Sequence, residues 1–248
     1  MTGKASARLL FALGLFAPLS VLAAPNEIKV FSDELAAPGE STIETHVNKA
    51  SRAGRRAGNQ AAPLQIMPEY SYGIWKNWEL SLQLPAAFQQ SRLRSEGIRA
   101  EIQYVAPHDD DEGFYWGFNI EAARLTRIGD PSIWNLEMIP ILGMRMDRWH
   151  LIANPGLSQA LSGSQKKLGF EPAYKVSYRT DRSASVGVEY YEEAGPIRKM
   201  LPADQRYRVL YLAWDGKVGK SDINVGVGRG LNGASDRLVF KAAVEFGF

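Results

Sequence analysis

"RLVFKAAVEFGF" (residues 237–248) closes the chain, and its reading decides the fold. Counting back by twos from Phe248 gives Phe246, Val244, Ala242, Phe240 and Leu238, all apolar. The positions between them are Gly247, Glu245, Ala243, Lys241 and Val239. A period of two belongs to a β-strand, whose successive side chains point to opposite faces. Soluble domains commonly trail off in polar residues, whereas this strand carries its apolar face to the last position.

The same phrasing recurs throughout the chain. In "WNLEMIPILGMRM", Trp134, Leu136, Met138, Pro140, Leu142, Met144 and Met146 alternate with Asn135, Glu137, Ile139, Ile141, Gly143 and Arg145. Comparable segments begin near Ser41, Leu64, Trp78, Ile98, Phe114, Trp134, Trp149, Phe170, Ala184, Arg206, Asp222 and Arg237. Tight links such as "WKN" (75–77) and "DRW" (147–149) alternate with more open ones such as "SRAGRRAGNQAAP", "QQSRLRSEG" and "GPIRKMLPADQ". Short turns at one end and longer loops at the other characterise transmembrane β-barrels. The expected fold is all-β, an antiparallel up-and-down transmembrane barrel of twelve strands over residues 41–248. Ten or fourteen strands would also fit the spacing. Aromatics near strand ends (Trp78, Trp134, Trp149, Tyr178, Tyr190, Phe248) suit the interfacial girdles of such a barrel. The competing reading is an exported soluble sandwich or small barrel.

Composition narrows the function classes. The 248 residues include no cysteine, which excludes disulfides, thiolate metal sites, Cys nucleophiles and a lipid-anchored Cys. Residues 1–23 read as a cleaved export signal: Lys4 and Arg8 precede an apolar run, and "VLA" (21–23) gives small residues at the cleavage positions. Removing that segment takes the formal charge from +2 to 0, so no basic balance remains to suggest nucleic acid. Residues 24–40 are expected to form a periplasmic extension before the first strand. An even strand number would place both termini on that side.

If the apolar faces meet lipid, the opposite set lines the lumen. The candidates are Glu44, His46, Glu69, Glu79, Arg99, Glu101, Glu121, Glu137, Arg145, Glu171, Lys175, Arg179, Glu189, Lys241 and Glu245. A Lys or Arg facing mid-membrane lipid would cost about 2–4 kcal/mol. Carboxylates outnumber bases in this set, which favours cations or neutral polar solutes in an open lumen. Two lumen states fit: a partly open conduit, or cross-strand pairs that fill the barrel.

Other chemistry is weakly supported. "HDDDE" (108–112) is dense in carboxylates but lacks calcium-loop spacing, and a solvated turn is the simpler reading. His46, His108 and His150 are scattered, without zinc-ligand spacing. His150 beside Trp149 suggests a turn or girdle role. No G-x-S-x-G elbow occurs, and His150 and Asn154 would stand about 13 Å apart along a strand. No catalytic residue, metal or cofactor is expected, and the chain is not read as an enzyme.

The closing strand, with Phe240, Val244, Phe246 and Phe248, resembles the C-terminal signal recognised by the barrel-assembly machinery of Gram-negative bacteria. The body of the chain resembles transporter-like outer-membrane barrels of the phenol-degradation meta-pathway type. The stretches that carry this likeness are "ELAAPGESTIETHVN" (34–48), "YSYGIWKNWELSLQLP" (70–85), "NPGLSQ" (154–159) and "GVGRGL" (226–231). The resemblance implies an outer-membrane location, lipid and the assembly machinery as partners, and passive transport of small, hydrophobic or aromatic solutes. A lumen-filled structural or receptor barrel, or an outer-membrane hydrolase, are the alternatives.

Overall fold

The alternation closes on itself. The structure is a computed structural model and describes residues 28–51, 62–109, 111–126, 133–162, 167–181 and 183–248. Twelve strands form one antiparallel barrel. They are β1 (Ser41–Ala50), β2 (Leu64–Trp75), β3 (Trp78–Gln83 continued by Ala86–Gln89) and β4 (Arg92–Ser95 continued by Gly97–Val105). Then follow β5 (Gly113–Leu125), β6 (Ile133–Met146), β7 (Trp149–Ala160), β8 (Gly169–Arg179), β9 (Ala184–Glu193), β10 (Tyr207–Val218), β11 (Ser221–Gly230) and β12 (Leu238–Gly247). Each strand pairs with its neighbours in sequence, and β12 pairs back onto β1 through Glu44↔Glu245 and Asn48↔Lys241. Phe248 lengthens that seam: its N–H donates to the Ser41 carbonyl at 3.0 Å, and Ser41 N–H donates back at 3.3 Å. Among the described residues the wall closes as a ring of paired strands, with only the Arg92–Ser95 end of β4 paired on a single side, and a closed ladder is what a hydrocarbon surround demands.

The two faces separate as the period of two requires. Leu80, Leu82, Trp116, Leu136, Met138, Leu142, Val188, Leu212, Val227, Phe240 and Phe246 are exposed around the outside. An apolar belt on every side of a closed barrel is a surface built for lipid rather than water. Trp78, Tyr104, Trp116 and Phe118 stack at one end of it, with ring centroids 4.7–5.9 Å apart. Trp149 and Tyr178 do the same at 5.0 Å.

Tight connections gather at one end, where Asn77 (φ 71°) and Asp147 (φ 52°) take the left-handed conformation their short polar side chains tolerate. The "QQSRLRSEG" connection departs from expectation. β3 and β4 run on past their expected limits and join through Gln90 (φ 51°) and Ser91 (φ 58°), the φ signs of a type I′ hairpin turn. Three other expected open loops fall largely on residues 52–61, 127–132 and 163–166, outside the described residues, as do the expected export signal and Asp110, whereas "GPIRKMLPADQ" (195–205) is described and forms an irregular, turn-rich connection between β9 and β10.

One stretch of wall is weakly laddered. Pro155 of β7 stands directly opposite Pro172 of β8. Between β6 and β7 no residues pair from Met138↔Leu157 to Leu142↔Ala153, the interval that holds Pro140 and Pro155. Three neighbouring strands thus carry prolines, which have no N–H to donate to a ladder.

The described part of the expected periplasmic extension, residues 28–40, lies within the barrel. From Ile28, where description begins, the chain runs inside the barrel to the short-turn rim and emerges beside β2. Apolar Ile28 and Phe31 find buried partners there, while Lys29 and Asp33 find opposite charges.

Candidate functional site

The lumen and the strap within it form the candidate site. Pro38 bridges Gly73, whose N–H donates to the Glu40 carbonyl at 3.0 Å. A Cβ at Gly73 would lie 2.2 Å from the Ala37 carbonyl oxygen, so the strap passes β2 only because that residue is glycine. Gly39 (φ +85°) turns the chain from the strap into β1.

Lumen side chains hold the strap along its length. Ala36 N–H donates to Glu79 Oε2 at 2.6 Å, and Gln103 Nε2 donates to the Ser32 carbonyl at 2.9 Å. Asn154 binds Phe31 as a strand neighbour would: its Oδ1 accepts from Phe31 N–H at 2.8 Å and its Nδ2 donates to the Phe31 carbonyl at 3.1 Å. The same amide reaches the Pro140 carbonyl at 3.4 Å, beside the weakly laddered wall. Asp33 is forked by both guanidinium nitrogens of Arg145 and lies 2.8 Å from His108 Nε2. Burial alone would raise the Asp33 pKa, but the bonds and charges of Arg145 and His108 hold it below its ordinary value. Deeper in, Lys241 Nζ donates to the Ile28 carbonyl at 3.2 Å. Ile28 packs with Tyr191, Tyr207, Val209, Tyr211 and Val239, and Phe31 with Val105, Tyr115 and Ile141.

The other predicted lumen residues fall into connected groups. Glu44, His46 and Glu69 gather around Lys29. Gln83 Nε2 links Glu69 to Glu101 at 3.2 and 3.1 Å, and Arg99 lies 3.3 Å from Glu121. On the far side, Glu189 receives Lys241 and stands 3.3 Å from Lys175, which also reaches Asp215 at 2.8 Å. Glu137 accepts from Asn135 at 2.7 Å, near the long-loop end. Glu171 and Arg179 lie exposed at opposite ends of β8, and Glu245 is half-buried near the short-turn rim. Side chains across the barrel's middle are closed to water, with Gln83 and Asn119 at 0% and Glu189 at 1% exposure. An open water-filled pore would leave such side chains wet, so the described lumen is packed. Buried charges here are tolerable because they are paired.

His150 is not a turn residue. It points inward, with Nε2 2.7 Å from the Tyr115 hydroxyl. Tyr115, Tyr191 and Tyr211 are inward residues that the strand-end reading of aromatics missed. A signal existed in the opposing glycines. A Cβ at Gly143 would lie 1.9 Å from the Tyr115 ring, and one at Gly228 would lie 2.4 Å from that of Tyr211. In the "HDDDE" stretch, His108 serves the strap, while Asp109 and Asp111 sit at the turn.

No protein-family model matches the sequence, and no curated protein matches it. Solved structures do match the fold. An outer-membrane channel from Pseudomonas putida F1, the COG4313 channel, aligns with a TM-score of 0.63 at 10% identity, over 90% of this chain and all of its own. The KdgM porin aligns with a TM-score of 0.57 at 11% identity, over 84% of this chain and 99% of its own. The chain has the fold of outer-membrane β-barrels.

Proposed function

We propose that the protein is an outer-membrane barrel for passive passage of small molecules, closed in this state by its own N-terminal strap. The carrying observation is that the strap is held mainly by side chains of the wall rather than by a strand ladder. A segment docked on side chains can leave without breaking the barrel. Its departure would uncover a lumen lined by Glu69, Glu79, Gln103 and Asn154, polar groups suited to water and solute. The likeness to a channel and a porin supports this reading. The apolar outer belt supports the outer membrane of a Gram-negative bacterium, in keeping with the export signal expected from the sequence. Small hydrophobic or aromatic solutes rest on the resemblance to the phenol-degradation meta-pathway type.

The test compares purified full-length protein with a variant lacking residues 28–37, in planar bilayers and in solute uptake by proteoliposomes. Expected is low or brief conductance for the first and sustained conductance for the second. A folded variant that conducts nothing and takes up nothing would overturn the proposal. That outcome would favour a lumen-filled structural or receptor barrel, a reading that rests on the paired, water-excluded groups of the lumen.

A further inference from the structure

We propose that Glu44, His46 and Glu69 form a binding site for a divalent transition-metal cation of the zinc type. In the strapped state the Lys29 ammonium stands in for that cation. Glu44 and His46 are two apart on β1 and so share its lumen face, and Glu69 of β2 is the register partner of Glu44. His46 Nε2 lies 3.1 Å from Glu44 Oε2 and 3.3 Å from Glu69 Oε2, and one ligand atom from each residue falls within 4.8 Å of the others. Ligand atoms about 2.0–2.1 Å from a tetrahedral zinc lie about 3.3 Å from one another, so the imidazole-to-carboxylate spacings are those of two tetrahedron edges. One imidazole and two carboxylates are also a donor set that zinc accepts.

Two further observations point to a cation. Lys29 Nζ sits 3.1 Å from Glu44 Oε2 and 3.6 Å from Glu69 Oε1, so a positive charge is already held between the carboxylates. Glu69 is also held in orientation by donors to both of its oxygens, Ser71 Oγ at 3.3 Å and Gln83 Nε2 at 3.2 Å, as metal-binding carboxylates commonly are. The lysine is 28% exposed where Glu69 is 1% exposed, so its side gives the route for an ion. Binding would exchange one divalent ion for the ammonium and release any proton on His46 Nε2 to solvent. Because Lys29 belongs to the strap, metal and strap compete for the same carboxylates.

The experiment titrates folded protein in detergent with Co2+, whose visible absorption reports tetrahedral coordination, and then displaces it with Zn2+. Expected is one site whose absorption disappears in His46→Gln. Lys29→Met should bind about tenfold more tightly or better, because the competing ammonium is gone. The Lys29→Met variant keeps every proposed ligand, so it tests the site even if His46→Gln folds poorly. The proposal is overturned if neither wild type nor Lys29→Met shows tetrahedral cobalt absorption at about 1 mM metal. It is equally overturned if binding persists undiminished in a folded His46→Gln variant. Conductance plays no part in this readout, so failure here leaves the channel reading standing.

Discussion

Replacing Asn154 with leucine should release the strap while leaving the barrel closed. Leucine keeps nearly the same volume but offers neither the acceptor for Phe31 N–H nor the donor for its carbonyl, and both bonds are buried. Each buried polar group left without a partner costs about 1–3 kcal/mol. With two such groups on Phe31, a loss of about 3 kcal/mol is a modest expectation, on the order of 100-fold in the docked-to-released ratio. The chain lacks cysteine, so Ser32→Cys would be its sole thiol, placed next to Phe31 on the strap. Labelling of Cys at position 32 by a bulky maleimide should follow the released population where opening is fast. The expected result is labelling faster by roughly that factor in the Asn154→Leu background, with far-UV circular dichroism unchanged. Equal labelling rates in the two backgrounds would refute the claim that Asn154 holds the strap.

Three further outcomes are expected. Asp33 has its pKa held below the ordinary 3.8, so its share of strap docking is complete above that value and is lost as pH falls through the depressed one. Conductance should therefore stay low on mild acidification and rise only in strongly acid solution, less so in Asp33→Asn; a rise near neutrality would contradict this. Lys241→Met strips Glu189 of its closest partner and should cost about 3–5 kcal/mol in denaturant unfolding, partly recovered when Glu189 is also made apolar. Additive costs in that double variant would show that the pair is not coupled. Deleting Phe248 removes both terminal seam bonds and the proposed assembly label, so the yield of folded barrel should drop; an unchanged yield would count against both roles.

The wall was legible because its periodicity is local. Trp134 to Met146 announces its own two faces, and β6 spans Ile133–Met146. The same logic places Lys241 inward and Phe240 outward from the sequence alone. Where a segment's partners are distant, the period of two is silent. Nothing in "IKVFSDEL" names Asn154 or Arg145, more than a hundred residues away, and these residues are what draw the strap inside. The hairpin at Gln90 and Ser91 was hidden for another reason: neither residue is the glycine or asparagine that usually marks such a turn. Inward tyrosines were hidden because an aromatic fits a lipid girdle and a lumen equally well. Only the glycine across the strand decides, as Gly143 does for Tyr115.

The turn at Gly39 has a consequence for how long the lumen can stay open. It fixes the strap covalently to the rim it must re-enter, so docking is intramolecular. A short flexible tether gives an effective concentration in the millimolar range. Against such a concentration, contacts worth about 6 kcal/mol keep the strap docked most of the time, and a freed strap returns quickly. Openings would then be brief and self-limiting. A synthetic copy of the strap added from outside would compete poorly, because the tethered copy is always nearer.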